Sequence, residues 1–453
     1  MLRKTFFWLH LAAGLIAGLV VAVMSFTGAA IAFEKELVAW AESDARRVTP
    51  LAEISNSKSQ SPNPESASGA APDAQNRESK SENQKSQRVP LADLLARARE
   101  KEPETRPTAI TISADPAAAT AITFGRDNVY YANPYTGELR KPASTRMHDF
   151  IHVMERWHRF LGFAGENSRP IGKAVTGACN LAFFFLAVSG LYLWWPRSWS
   201  WRGLKAVAVF NFRLLGKTRD FNWHNSVGLW TAPFLIVLTL TAVPISYRWG
   251  NNLVYRLTGN EPPAQGQGAG PAATGPAVTV PAPEPGARSL GNDAILASVQ
   301  AANPGWTDIT FRLGNARGMG GNQRREGQPA GENRPAPSET SNSKAQIPNS
   351  PGEQRPRGPQ AVNVTVRTAD QWPLFSTTTL SLDPFTGAVL KKEVFADQNA
   401  GRRLRSWTRF LHTGEALGFI GKLLATSACL GALVLCWTGF ALSWRRFFSR
   451  RSA

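Results

Sequence analysis

Histidine is the residue type in this sequence with the clearest capacity for metal or redox chemistry. His10 and His224 are each followed, four residues later, by a glycine, Gly14 or Gly228. Because residues i and i+4 stack on one face of a helix, the glycine leaves room beside the imidazole. The chain has six histidines, each in or near the end of a long apolar run: His10, His148, His152, His158, His224 and His412. Their chemistry therefore depends on the helices that carry them.

Four apolar runs are long enough to cross a bilayer, since a hydrocarbon core of about 30 Å needs about 20 apolar residues. The runs are Phe6–Phe33, Ile171–Trp195, Trp223–Tyr247 and Phe419–Trp444. The first could instead be a signal peptide, because basic residues precede it and Ala30-Ile31-Ala32 resembles a cleavage site. Its 28 residues exceed the usual apolar region of such peptides, so we expect it to be retained.

The charge pattern orients these runs. The N-terminus, the loop between runs two and three and the C-terminus fall on one side of a four-span protein, and all three are basic. Basic short loops are typical of the cytoplasmic side. The net charge of +18 also raises nucleic-acid binding, but no such signature is present. We expect a multi-pass inner-membrane protein with both termini cytoplasmic, the long loops 34–170 and 248–418 outside, and lipid rather than nucleic acid as its partner.

An internal repeat relates the two halves of the chain. Three pairs of residues recur at an offset of 249 positions: Gly172 and Gly421, Ser189 and Thr438, and Gly190 and Gly439. The motif Asn-Pro-Tyr-Thr-Gly recurs 250 positions later as Asp-Pro-Phe-Thr-Gly. The repeat predicts two units, each made of a span, an external domain and a span. The expected fold is an α-helical membrane protein, a four-transmembrane-helix bundle with two small extracytoplasmic α+β domains.

Each external domain shows the same order of local patterns. A helical stretch comes first, at Leu91–Glu100 or Asp293–Ala302, and a proline follows it. The Pro-aromatic-Thr-Gly motif predicts a tight turn between two strands. Alternating apolar residues predict strands at Ala109–Ile112, Ile122–Phe124, Ile309–Leu313, Val362–Arg367 and Thr377–Leu382.

Three inserts of low complexity are expected to be disordered, because they cannot bury enough apolar surface: Ser55–Ser86, Glu261–Gly286 and Gly314–Pro359. The chain then divides into a first span (1–33), a largely disordered linker (34–87), a first external domain (88–147), a lead-in with the second span (148–197), a basic loop (198–220), a third span (221–248), a Pro/Gly/Ala-rich linker (249–287), a second external domain interrupted by the insert 314–360 (288–400), a lead-in with the fourth span (401–446) and a basic tail (447–453).

Topology sorts four histidines into two pairs. His10 and His224 lie at the cytoplasmic ends of their runs, whereas His158 and His412 lie outside, just before runs two and four. Two neutral imidazoles on facing helices are the axial ligands of a b-type haem, so two haems are expected. Four basic residues lie where they could pair with propionates of the outer haem: Arg159, Arg409, Lys173 and Lys422.

Simpler interpretations of the histidines stay open. A histidine at a membrane interface can be a polar cap that faces lipid headgroups. His148 and His152 have i, i+4 spacing and could bind a metal or form a solvated helix face. His152 is also an alternative to His158 as an axial ligand. The sequence names no catalytic residue, and Arg409 and Glu415 only flank the outer site.

Three motifs resemble those of the PepSY-associated transmembrane (PepSY-TM) family. They are Trp-His-Arg-Phe-Leu-Gly from Trp157, Ser-Gly-Leu-Tyr-Leu-Trp-Trp-Pro-Arg from Ser189 and Phe-Leu-His-Thr-Gly-Glu from Phe410. The two Pro-aromatic-Thr-Gly turns resemble the ends of PepSY modules. The resemblance covers nearly the whole chain except the three inserts. The family includes di-haem inner-membrane reductases of ferric siderophores.

The resemblance implies a haem on the cytoplasmic side between His10 and His224 and an outer haem between His158 and His412. It implies reduction of a ferric siderophore or other ferric chelate during iron uptake. Some relatives append a flavin reductase domain; this chain ends nine residues after Trp444, so we expect a separate flavoprotein or quinol as electron donor. The alternative is a non-catalytic PepSY protein that binds or regulates a periplasmic partner such as a peptidase. A transporter built from two repeats is a third, weaker hypothesis.

Overall fold

A computed structural model describes residues 1–50, 88–125, 128–195, 200–263, 278–313 and 359–448. Four helices in these ranges are long and apolar enough to cross a membrane. We call them span 1 (Leu2–Ile31), span 2 (Arg169–Trp194), span 3 (Gly216–Ser246) and span 4 (Gly418–Phe448). A helix satisfies every backbone hydrogen bond within the segment, as the bilayer core requires. The four predicted apolar runs are thus confirmed, and each helix extends beyond its run at one end or both.

The four spans form a ring in which each packs on two neighbours. Span 1 packs on spans 2 and 4, and span 3 packs on the same two, so spans 1 and 3 lie across the diagonal. Small residues permit close approach: Ala428 and Ala432 of span 4 are fully buried beside Ala187 and Leu235. Without a hydrophobic driving force between helices in lipid, such close packing is what holds a bundle together.

Two lead-in helices lie against the outer half of the bundle. The first (Arg146–Phe160) packs on spans 1 and 2, and the second (Ala400–His412) packs on span 3. Each is followed by a tight return into the next span. At Gly172 and Gly421, a β-carbon would collide with the backbone carbonyl oxygen of Phe160 or Gly414. Glycine is therefore required at both returns, which accounts for its recurrence in the repeat.

The external strands form one eight-stranded antiparallel sheet rather than two separate sheets. Its order is β4-β3-β2-β1-β5-β6-β7-β8, so the first strands of the two sequence modules, β1 and β5, pair at the centre. The strands are β1 (Pro107–Ser113), β2 (Thr120–Phe124), β3 (Asn128–Ala132), β4 (Leu139–Arg140), β5 (Trp306–Arg312), β6 (Val362–Thr368), β7 (Thr378–Leu382) and β8 (Val389–Glu393). The sequence patterns missed β3, β4 and β8.

The two modules also share a hydrophobic core. The helices Leu91–Lys101 and Asn292–Ala302 cover the sheet, and their buried faces join one apolar cluster with β1, β2, β5, β6 and β7. The backbone N–H of Leu91 donates to Asp293 Oδ1 of the other module at 2.8 Å. The modules are therefore joined edge to edge into one structural body.

The predicted tight turns have the same local hydrogen bonds in both modules. Asn133 Oδ1 accepts from the N–H of Tyr135 at 2.9 Å, and Asp383 Oδ1 accepts from the N–H of Phe385 at 2.8 Å. Each turn ends at a glycine with positive φ. Asn and Asp favour such turns because the short side chain replaces a backbone acceptor.

Two linkers begin with helices that the sequence analysis did not predict. The stretch after span 1 contains the helices Glu34–Ala41 and Ser43–Arg46, and the stretch after span 3 begins with the helix Arg248–Leu257. These segments place apolar side chains against the bundle, so they fold. Further short helices are Trp201–Ala208, Phe395–Asp397 and Glu415–Leu417.

The inserts fall mostly outside the described residues, including all of Ser55–Ser86 and nearly all of Gly314–Pro359. The end of the insert Glu261–Gly286 is described, and there the prediction of disorder was wrong. Thr279 pairs with Gln360 in a β-bridge and Val280 is buried.

Candidate functional site

The outer pair of histidines is brought together by the lead-in helices. His158 ends the first of these helices and His412 ends the second. Their ring centroids are 6.2 Å apart, with 49° between the ring planes. Burial lowers the pKa of His158 to about 4, with a further contribution from His412. Burial likewise lowers the pKa of His412, so both imidazoles are neutral near pH 7 and each keeps a nitrogen lone pair.

Hydrogen bonds to the spans decide which ring nitrogen keeps that lone pair. His158 Nδ1 lies 2.9 Å from the backbone carbonyl oxygen of Met24, and His412 Nδ1 lies 2.9 Å from that of Leu238. A carbonyl oxygen only accepts, so Nδ1–H is the donor and Nε2 is left as the basic nitrogen. Metal-ligating histidines are commonly oriented in this way.

The inner histidines make the same kind of contact with side-chain hydroxyls. His10 Nδ1 lies 2.9 Å from Ser189 Oγ of span 2, and His224 Nδ1 lies 2.9 Å from Thr438 Oγ1 of span 4. Thr438 donates its own hydroxyl proton to the Val434 carbonyl oxygen at 2.7 Å. Its oxygen therefore accepts from His224, and Nε2 again carries the lone pair.

Glycines make room for two of these imidazoles. A β-carbon would lie 3.3 Å from His10 Cε1 at Gly190 and 3.2 Å from His158 Cε1 at Gly28, whereas one at Gly439 would lie 3.6 Å from His224 Cε1, an ordinary contact. The sequence flagged Ser189-Gly190 and Thr438-Gly439 only as repeated motifs. Both motifs recur in spans that neighbour the recurring histidines of spans 1 and 3. This recurrence could have indicated that the motifs contribute to the site. Nothing in the sequence pointed to Gly28.

The other predicted glycines are less constrained. A β-carbon at Gly14 would lie 3.8 Å from Leu186, and one at Gly228 would lie 3.6 Å from Leu435. Both distances are ordinary van der Waals contact. The packing of the chain alone therefore does not require glycine at Gly14 or Gly228, and their predicted role beside a cofactor stays a prediction.

The four histidines lie in two layers along the bundle. Met24, which holds His158, is 14 residues after His10 on span 1, and Leu238, which holds His412, is 14 residues after His224 on span 3. A helix rises about 1.5 Å per residue, so the layers are about 21 Å apart. Because spans 1 and 3 lie across the diagonal, His10 and His224 come from helices that face each other across the bundle.

His152 does not face His412. Its Nε2 lies 3.2 Å from His148 Nε2, on a part of the first lead-in helix that precedes His158. The histidine that the structure brings beside His412 is His158.

The basic residues proposed for propionates have other partners. Lys422 Nζ is buried and lies 2.6 Å from Glu36 Oε1, and Arg159 donates to Glu155 Oε1 at 2.7 Å. A carboxylate 386 positions away in the chain already pairs with Lys422, and its predicted pairing with a haem propionate stays a prediction. Glu415 accepts from Lys35 at 2.7 Å.

The two remaining basic candidates lie differently. Arg409 stacks over the Phe410 ring at 5.9 Å, and Lys173 is exposed at the start of span 2. A further cation that the sequence did not single out is Arg405, which donates to Asn251 Oδ1 at 2.9 Å. Burial and the neighbouring Arg409 lower the pKa of Arg405.

The fold and the histidine layers define a class: a multi-pass membrane protein with a four-helix bundle that carries histidines in two layers and an eight-stranded sheet outside the spans. Residues 7–446 match the family described as the PepSY-associated TM region, and the chain belongs to that family. A comparison with curated proteins finds no match.

Proposed function

We propose that this protein is an inner-membrane b-type haem protein that moves electrons across the membrane and reduces an extracytoplasmic ferric, siderophore-type substrate in iron uptake. The observation that carries the proposal is the orientation of the four histidines. In His158, His224 and His412, Nδ1 donates to an acceptor and Nε2 keeps its lone pair, and His10 Nδ1 lies at the same distance, 2.9 Å, from the Ser189 hydroxyl. A polar cap facing lipid headgroups needs no such uniform arrangement.

The residues fit a bis-imidazole haem at the outer layer. If the outer layer holds a haem, His158 and His412 would be the residues that bind its iron through their Nε2 atoms. The centroids of His158 and His412 are 6.2 Å apart. His10 and His224 would hold the second haem, with Gly14 and Gly228 beside them. A bound haem supplies a one-electron Fe(III)/Fe(II) couple.

The chain's own residues have three roles in this proposal. Carbonyl and hydroxyl acceptors orient the imidazoles, and burial keeps the outer pair neutral, which preserves their affinity for iron. Packing of the helices leaves each of the four imidazoles only partly exposed. The two layers, about 21 Å apart along the helices, divide the thickness of a membrane of about 30 Å into shorter steps. The electrons would come from a separate flavoprotein or a quinol.

The orientation of the chain is part of the proposal. Basic residues at the ends of spans 1 and 4 favour cytoplasmic termini. Some of them also tie the spans together: Arg445 pairs with Asp220 at 3.1 Å, and Arg3 donates to the carbonyl oxygen of Leu193. The sheet would then lie outside, above the outer layer, where a ferric chelate docks.

A second function is favoured by the sheet edge. β8 (Val389–Glu393) is a terminal strand of the sheet, and edge strands can pair with an extended peptide. This observation favours a PepSY protein that binds or regulates a periplasmic partner such as a peptidase. Haem content distinguishes the two functions.

The test is the reduced-minus-oxidised absorbance spectrum of the detergent-purified protein, with haem quantified per chain. We expect a b-type spectrum and close to two haems per chain. His224→Ala should remove the inner haem and His412→Ala the outer one, whereas His152→Ala should retain both. A chain that stays colourless after haem reconstitution would overturn the proposal. Reduction of a ferric chelate by protein in liposomes then tests the substrate.

A further inference from the structure

Two histidines of the first lead-in helix remain outside both layers. His148 and His152 have converging side chains, with Nε2 atoms 3.2 Å apart and ring centroids 4.3 Å apart. Their i, i+4 spacing stacks them on one helix face. Both are only partly buried, so a dissolved ion can reach them.

The distance between the two Nε2 atoms matches a chelate. Two nitrogens bound to one ion at about 2.0–2.1 Å are separated by about 2.9 Å at a right angle and about 3.4 Å at the tetrahedral angle. The observed 3.2 Å lies between these values. A metal ion can therefore replace the proton that the two nitrogens share, with little movement of either ring.

A carboxylate lies beside one member of the pair. Glu155 Oε2 lies 3.9 Å from His152 Nδ1, and the other oxygen of Glu155 accepts from Arg159. Ligating histidines commonly direct their second ring nitrogen at a carboxylate, which fixes the ring and raises its basicity.

We infer that His148 and His152 bind a divalent first-row transition-metal ion through their Nε2 atoms, with Glu155 as a positioning residue. Among the described residues no group of three His, Cys, Asp or Glu side chains is spaced to hold a metal. The site therefore has two protein ligands and water in the remaining positions, and it exchanges its ion readily. Imidazole ligands favour Zn²⁺, Cu²⁺, Ni²⁺ and Fe²⁺ over Mg²⁺ and Ca²⁺.

The site lies close to the outer layer. His152 precedes His158 by six residues on one helix, a rise of about 9 Å. An exchangeable site at this place suits Fe²⁺ released beside the outer layer. This choice of ion rests on the proposed function, whereas metal binding itself does not.

The experiment is a Co²⁺ titration of the full-length, haem-loaded protein, purified with a tag that contains no histidine. We expect one equivalent to bind with new visible absorption, Zn²⁺ to displace it and Mg²⁺ to leave it in place. His148→Ala and His152→Ala should each weaken binding by about tenfold or more, and Glu155→Gln by less. His→Gln variants replace any alanine variant that fails to fold. Val153→Ala, an exposed position next to His152 on the same helix, is the matched control.

Equal Co²⁺ binding by the wild type and the double variant would overturn the inference. Haem content in each variant keeps this result separate from the proposed function, because loss of the axial histidines should leave Co²⁺ binding intact. Anaerobic Fe²⁺ binding in the absence of Co²⁺ tests the identity of the ion, because Fe²⁺ binds such sites more weakly than Co²⁺ does. Equal Fe²⁺ binding by the wild type and the double variant would exclude the role in iron release while leaving the site.

Discussion

The inner and outer histidine layers orient their imidazoles through different kinds of contact. The inner imidazoles belong to the spans themselves and are held by hydroxyl side chains, Ser189 and Thr438. The outer imidazoles come from helices beside the bundle and are held by main-chain carbonyl oxygens of Met24 and Leu238. The inner layer therefore depends on particular side chains. The outer layer depends on how closely a lead-in helix approaches a span.

The largest effect is expected from a bulky substitution that should remove the haem of one layer and leave the other. Gly28→Val places branched carbons at a position where even a β-carbon would lie only 3.2 Å from His158 Cε1. We expect the outer haem to be lost, about one of two per chain, with the inner haem retained. Ala29→Val, one position along span 1, is the control and should keep both. Loss of the inner haem in Gly28→Val would contradict the independence of the two layers.

A smaller effect is expected from the inner acceptor. Thr438→Val keeps the shape of the side chain and removes the oxygen that orients His224. Loss of such a supporting contact costs about 10- to 100-fold in metal affinity. We expect inner haem to dissociate faster during dilution while the outer haem is unchanged. Ser443→Ala, a hydroxyl of the same span that binds only the Gly439 carbonyl, serves as the control. Equal haem loss in both variants would count against a specific role for Thr438.

A smaller effect is expected from breaking the ion pair between Glu36, in the segment after span 1, and Lys422 of span 4. Glu36→Gln leaves the buried ammonium of Lys422 without a charged partner. Because Glu36 itself is half exposed, we expect a loss of about 1–2 kcal/mol, seen as a lower thermal midpoint. Lys35→Gln breaks the more exposed pair with Glu415 and should cost less. A larger effect of Lys35→Gln would reverse this ranking.

The same pair gives a pH dependence. Burial opposes ionisation of Glu36, but the hydrogen bond and charge of Lys422 prevail and lower the pKa of Glu36 below its ordinary value of 4.5. Its stabilising contribution is therefore complete above about pH 4.5 and is lost as the pH falls through the lowered pKa. In Glu36→Gln that part of the acid sensitivity should disappear. An unchanged acid profile would show that other groups dominate.

The smallest effect belongs to the external sheet. Asp293→Ala removes the acceptor for the Leu91 N–H, and loss of a helix cap costs about 1 kcal/mol. We expect a slightly lower thermal midpoint and unchanged haem content in both layers. Asp93→Ala, in the first turn of the helix that receives the cap, is the matched control. Loss of haem in Asp293→Ala would show that the sheet and the histidine layers are coupled.

Local patterns predicted much of the fold. The four apolar runs, the helices near Leu91 and Asp293 and the strands near Ala109, Ile122 and Val362 are confirmed to within a few residues. The missed strands have local reasons: Leu139–Arg140 is too short to show alternation, and Val389–Glu393 is largely polar. The helix Arg248–Leu257 was hidden because the proline- and glycine-rich stretch after it dominated the composition.

Composition and periodicity by themselves determined the spans, the order of elements in each module and the confinement of all six histidines near the ends of the spans. These are local properties, set by hydropathy and by helix and strand geometry within a few turns. Only the tertiary structure decided that His158 faces His412, that Glu36 neutralises Lys422 and that β1 and β5 join two modules into one sheet. Those contacts join residues far apart in the chain. The ion pair between Glu36 and Lys422 and the pairing of β1 with β5 carry no signature in the sequence of either partner.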